Sequence, residues 1–197
     1  MLYSFFRLAA FLTLKTVFGL QVFDKKNIPK KGGFILASNH TSYLDPIVLG
    51  AACPRKLNFM AKQELFSHPL FSWYFSQLKA FPVKRNAIDL SALKEAIRRI
   101  KNGGGLLLFP EGRRMSDGAS AEAHGGVGFL AVKLDVPVIP AFVRGTEAAM
   151  PKGTKFIRPG RISVRFGRQI FVEKNSSYQD IARLIMTNVR YLEKNSL

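Results

Sequence analysis

The sequence is short of cysteine, histidine and acid, and each shortage removes a class of protein. Among 197 residues there is one cysteine, Cys53, so no disulfide can close within the chain. That pattern suits a reducing, cytoplasmic compartment. The three histidines stand at 40, 68 and 124, too scattered for the ligand spacing of a zinc site. Asp and Glu number 13 against 30 Lys and Arg, leaving a net charge of +17. Such a balance calls for an anionic partner: nucleic acid, anionic lipid headgroups or a phosphorylated substrate. There is no G-x-S-x-G elbow, which argues against a serine hydrolase working through an acyl-enzyme. Neither a G-x-x-x-x-G-K-[ST] loop nor a G-x-G-x-x-G fingerprint occurs, so no nucleotide cofactor is indicated. No internal repeat is present that would build a solenoid.

What is present is apolar and basic. Hydrophobic residues make up 47% of the chain, enough for one substantial core. The first twenty residues, MLYSFFRLAAFLTLKTVFGL, carry Arg7 and Lys15 and no acid. Their longest uncharged run, Leu8 to Leu14, is far shorter than the ~20 apolar residues that span a hydrocarbon core. A signal peptide is disfavoured, because both cations bracket the apolar run and no small-x-small cleavage site follows. The expectation is a helix lying in a membrane interface, Phe and Leu inserted and cations reaching headgroups. Packing of the same helix on the protein's own core is the alternative.

Past a polar connector, DKKNIPKKGG, short apolar runs alternate with helical periodicity. GFILAS, Leu57 to Ala61, Ala80 to Val83, LLLF, VPVIPAFV and RISVRF read as strands. Asp45-Pro46 reads as a helix start with Asp as cap, and His68-Pro69 as another. Leu90, Leu93, Ile97 and Ile100 recur at helical spacing between Asp89 and Lys101, where Glu95 and Arg99 form an i,i+4 pair. Helices are also expected over His124–Asp135 and Tyr178–Glu193. The alternation predicts an α/β fold, a central mostly parallel sheet flanked by helices, with sites in the loops beyond the strand ends.

Two polar motifs fall at such loops. Asn39-His40-Thr41-Ser42-Tyr43-Leu44-Asp45 follows GFILAS. A neutral imidazole can take a proton from a hydroxyl while a carboxylate on its other nitrogen fixes the tautomer. Five residues of separation cannot place His40 and Asp45 on one face of a continuous helix, so the chain must turn between them. Alone, this spacing arises by chance in roughly one sequence in ten of such composition. A capping aspartate beside a surface histidine gives it equally. The second motif, Phe109-Pro110-Glu111-Gly112-Arg113-Arg114, follows LLLF. Its arginines can grip phosphate oxygens bidentately, and Glu111 can orient an arginine or accept a substrate hydroxyl. Cys53 has no nearby His or acid and reads as a buried thiol.

Taken in order, NHxSxxD, then FPEG-x-R about seventy residues on, then Val136-Pro137-Val138-Ile139-Pro140 resemble the glycerolphosphate and lysophosphatidic acid acyltransferase family, the bacterial PlsC type. The resemblance covers Gly33 to Gly145. It implies His40 as catalytic base with Asp45 as partner, and Glu111, Gly112 and Arg114 as binders of the acceptor's phosphate and glycerol. Arg113 stands where the family has Thr and Met115 where it has Ser. The family's GxxFIxR block is matched in part by KAFPVKR, Lys79 and Pro82 replacing Gly and Phe, and implies Arg85 as a phosphate ligand. With the N-terminal helix read above, the expected division is a membrane-associating helix, residues 1–20, and an acyltransferase domain, residues 21–197. The implied reaction moves a fatty acyl group from acyl-CoA or acyl carrier protein to the free hydroxyl of 1-acylglycerol-3-phosphate, with the thioester as co-substrate, no metal and no cofactor. The implied partner surface is anionic membrane on the cytoplasmic face. The alternatives are another lysolipid acceptor, such as an aminoacyl lipid, or a basic nucleic-acid-binding protein. The latter fits less well, because the aromatics gather beside apolar neighbours in the N-terminal helix and in LFSWYF.

Overall fold

Seven strands and seven α-helices follow one another in near alternation along the described residues of this computed structural model. Those residues are 2–84, 89–112, 123, 125–151, 153–154, 156–173 and 175–194. In chain order they run α1 (Leu2–Phe18), β1 (Gln21–Phe23), β2 (Phe34–Ser38), α2 (Asp45–Ala52), β3 (Leu57–Lys62), α3 (Pro69–Gln77), β4 (Ala80–Val83), α4 (Leu90–Lys101), β5 (Gly105–Leu108), α5 (Gly126–Leu134), β6 (Val138–Arg144), α6 (Thr146–Ala149), β7 (Ser163–Phe166) and α7 (Tyr178–Lys194). The strands form one sheet in the order β1-β7-β6-β2-β5-β3-β4. Every neighbouring pair is parallel except β6 and β7. The fold is therefore the α/β architecture that the sequence pattern predicts.

The alternating side chains of β2 separate the two halves of the core. Phe34 and Leu36 face the layer of α1 and α2, while Ile35 and Ala37 face that of α4, α5 and α7. All four are fully buried, which is why the strand reads as an unbroken apolar run. Pro140 lies inside β6, a strand paired on both sides, where a missing N–H is normally excluded. The antiparallel pairing with β7 begins only at Ala141, and the bridge from Val138 to Ile170 lies beyond it. The proline thus occupies the gap in the ladder.

Helix α1 has two apolar faces. Tyr3, Leu14 and Phe18 are buried, and Leu14 and Phe18 belong to the same core as α2 and β2. Phe5, Leu8 and Leu12, on the opposite side, are more than half exposed. Of its two cations, expected to reach headgroups, Arg7 is half-buried and Lys15 is exposed. Arg7 Nη1 donates to the Cys53 carbonyl at 2.7 Å and Lys15 Nζ to the Leu20 carbonyl at 3.3 Å. The Cys53 thiol is buried and pushed up to about 11 by that burial, so it is an inert core group.

The site is positioned by the three central strands. β6, β2 and β5 are adjacent and parallel, so the loops after Arg144, Ser38 and Leu108 emerge side by side at one edge of the sheet. In open α/β sheets that edge is where ligands bind.

Candidate active site

The loop after β2 closes around one carboxylate. Asp45 Oδ2 lies 2.8 Å from His40 Nδ1 and accepts the N–H groups of Thr41 at 2.7 Å and Ser42 at 2.8 Å. The sequence predicts Asp45 as the cap of the following helix. In the structure Leu44 holds the cap position without a side-chain bond, and Asp45 is the first helical residue. Its carboxylate turns back onto the preceding loop, where the Thr41 and Ser42 N–H groups donate to it. The backbone turn that the five-residue spacing requires is therefore folded around the carboxylate itself.

Neighbouring elements hold this loop from several sides. Asn39 docks its side-chain amide on β6, donating to the Val143 carbonyl at 2.8 Å and accepting the Val143 N–H at 2.9 Å. Ser42 Oγ donates to the Met150 carbonyl at 2.9 Å. The His40 ring stacks on Phe109, centroids 3.9 Å apart and planes within 15°. The His40 N–H donates to Glu111 Oε2 at 2.9 Å. Thr146 Oγ1 donates to the other oxygen of Asp45 at 2.5 Å.

Asp45 is fully buried and the His40 side chain keeps 12% exposure, so the imidazole sits between the interior and the opening of the site. A carboxylate at Nδ1 selects the tautomer with its proton there and leaves the Nε2 lone pair for a substrate hydroxyl. Glu111 is buried as well. Its carboxyl is pushed up to about 7, chiefly by burial, with the nearby Asp45 charge adding to the rise and the His40 N–H and Arg190 opposing it.

Of the residues singled out in the sequence, His40, Asp45, Glu111 and Gly112 are brought together here. Gly112 turns the chain at φ 66°, its N–H returning to the Phe109 carbonyl at 2.9 Å. Arg85, Arg113 and Arg114, expected to hold phosphate, lie outside the described residues. Glu111, expected to face the acceptor, commits Oε2 to the backbone of the base. Asn39 and Phe109 stand within the motifs but carried no assigned role. Thr146 carried no signal at all, because it approaches Asp45 from 101 positions away.

A family model described as Acyltransferase matches residues 19–144, which include the whole His40 loop and the Glu111 turn. The chain belongs to the acyltransferase family. It is similar to the 1-acyl-sn-glycerol-3-phosphate acyltransferase of Bacillus subtilis (strain 168), 29% identical over 153 residues, covering 77% of this chain and 74% of that protein. The protein of the same description from Streptococcus pneumoniae is 28% identical over 205 residues, covering 100% of this chain and 75% of its own. Among solved structures, the 1-acyl-sn-glycerophosphate (LPA) acyltransferase PlsC from Thermotoga maritima superimposes with a TM-score of 0.82 at 30% identity, over 98% of this chain and 77% of that one. As an O-acyltransferase, the protein needs a base for a hydroxyl, and His40 backed by Asp45 has the geometry of one.

Proposed function

We propose that the protein acylates the free hydroxyl of 1-acylglycerol-3-phosphate, using a fatty acyl thioester of CoA or acyl carrier protein as donor, with His40 as the general base. The observation that carries this reading is the 2.8 Å contact of His40 Nδ1 with the buried Asp45 carboxylate. Nε2 takes the hydroxyl proton as the oxygen attacks the thioester carbonyl. Collapse of the tetrahedral intermediate breaks the C–S bond, and the thiolate leaves with the proton that the imidazolium returns. Asp45 supports the transient positive charge on the ring. A positioned acid–base group contributes about 10²- to 10⁴-fold. Arg85, Arg113 and Arg114 are the proposed ligands of the acceptor phosphate, and the relatives' names support a phosphorylated acceptor. A nucleic-acid role gives no use to a histidine poised on a buried carboxylate.

The protein is further proposed to act at the cytoplasmic face of the membrane as a peripheral enzyme. No helix among the described residues is long and apolar enough to cross a membrane. Phe5, Leu8 and Leu12 of α1 and Leu70, Phe71 and Trp73 of α3 are exposed, and Phe6 meets Tyr74 edge to face at 5.6 Å, joining the two helices. Burying such side chains in lipid is favourable by about 1.5–3 kcal/mol each, and the basic excess adds attraction to anionic headgroups.

The deciding assay is thioester-dependent acylation of lysophosphatidic acid by wild type and His40→Ala, beside lysolipids that lack a phosphomonoester. Turnover lost in the variant and selective for the phosphomonoester is expected. Equal turnover by His40→Ala removes the base, and preference for the other lysolipids removes the acceptor assignment. Trp73→Asp is expected to weaken sedimentation with anionic vesicles, and unchanged sedimentation of this and of Phe5→Asp would remove the membrane face.

A further inference from the structure

We propose that Thr146 is a positioning residue for the transfer reaction, the third member of a His40–Asp45–Thr146 chain that sets the aspartate under the base. The inference rests on the reading of His40 as that base. Thr146 stands just beyond β6, two positions past the stretch matched by the family model. It is fully buried.

The two oxygens of Asp45 divide the work around them. Oδ2 faces the His40 ring and the N–H groups of Thr41 and Ser42. Oδ1 accepts the Thr146 hydroxyl at 2.5 Å, a short O–H to carboxylate bond. Local backbone thus holds only one side of the carboxylate. The other side is held from the first residue of α6, and with both sides fixed the carboxylate cannot swing away from Nδ1. Thr146 is itself oriented, since Thr41 Oγ1 lies 3.5 Å from Thr146 Oγ1. With the Thr146 proton directed to Asp45, Thr41 is the donor in that contact.

The turn that presents Thr146 is built for a fixed position. Gly145 adopts φ 90°, and a Cβ there would collide with the Arg161 carbonyl, so no other residue fits without moving that backbone. The Glu147 carboxylate accepts the Gly145 N–H at 3.0 Å, and the Met150 N–H returns to the Thr146 carbonyl at 2.9 Å. The far end of the same turn accepts the Ser42 hydroxyl at the Met150 carbonyl. The loop that carries the base is therefore clasped at two points by one rigid turn. A packing role alone needs a β-branched side chain of this size; acting through Asp45 needs the hydroxyl.

The experiment measures kcat and KM for lysophosphatidic acid with Thr146→Val and Thr146→Ser, each also on an Asp45→Asn background, beside His40→Ala. A charge-assisted hydrogen bond of ordinary strength predicts that Thr146→Val lowers kcat about 10- to 100-fold while KM moves less than about threefold. Thr146→Ser is expected to restore kcat to within about threefold. On the Asp45→Asn background, valine is expected to lower kcat by less than about twofold, because the charge it serves is gone. Thr146→Ala carries the same expectations if the valine variant does not fold. Wild-type kcat in the hydroxyl-free variants, or the same factor lost on both backgrounds, overturns the inference while leaving an inactive His40→Ala, and so the base, untouched. Full turnover by His40→Ala overturns the reading of the base and this inference with it.

Discussion

Asp45 and Glu111 are both buried carboxylates bonded to His40, one at the ring and the other at the backbone N–H, and the protein treats them differently. Asp45 receives donors on both oxygens from its own loop, from the base and from Thr146. Glu111 lies in a turn after β5 with the His40 N–H on Oε2, and burial pushes its carboxyl up to about 7. The difference teaches that burial alone does not decide what a carboxylate does. The donors that replace water decide it. A carboxylate whose oxygens are matched by fixed donors can serve as a stationary charge, whereas one that burial pushes up to about 7 is a brace that tolerates its own neutral form.

The sharpest way to break this comparison is to remove each charge in turn. Asp45→Asn abolishes the anion beside the imidazolium and is expected to lower kcat by about 10²-fold or more. Glu111→Gln keeps an acceptor for the His40 N–H and is expected to lower it by less than about tenfold. Steady-state kinetics on the two variants check this, and equal losses would mean that both carboxylates play one role. Stability against pH comes next. A carboxyl of 4.5 in the unfolded chain and about 7 in the folded protein keeps its proton longer when folded. Folding stability then falls as pH rises through that window, by about 3 kcal/mol across it. Glu111→Gln is expected to remove this decline, as urea unfolding at pH 5 and pH 7.5 would record; an identical decline in the variant assigns it elsewhere.

Two smaller effects test what holds the loop itself. Asn39→Ala leaves the buried N–H and carbonyl of Val143 without their side-chain partners. A loss of about 2 kcal/mol in urea unfolding is expected. Phe109→Leu replaces the ring stacked on the imidazole. An aromatic pair contributes about 0.5–1.5 kcal/mol beyond its area, so kcat is expected to fall by no more than about tenfold with the fold retained. A larger loss would place Phe109 nearer the reacting atoms than a stacking wall.

Much of the fold is legible along the chain. β4 spans the same residues that its apolar run marks, and α4 begins one residue after Asp89, which caps it by accepting the Ser91 and Ala92 N–H groups. Of the helix expected over His124–Asp135, His124 lies outside the described residues and α5 runs Gly126–Leu134, while β6 begins at Val138, past Val136 and Pro137 of its apolar run. β1, three residues long, is too short to show a period, and it exists because β7 lies beside it. α1 reads as amphipathic in sequence, yet hydropathy does not reveal that one apolar face is already occupied by the core.

In the site, the sequence by itself determined the chemistry on offer: a histidine and an aspartate five apart, a glutamate–glycine turn, and strands whose ends carry both motifs. Local order suffices for these because they depend on residue type and on short stretches of chain. Only the tertiary structure decided the arrangement. Parallel pairing of β6, β2 and β5 sets the loops after all three at one edge, and there Thr146 and Glu111 reach the His40 loop from distant positions. A hydroxyl meeting a carboxylate across 101 residues leaves no periodicity to read, because its cause is the register of neighbouring strands rather than any spacing along one of them.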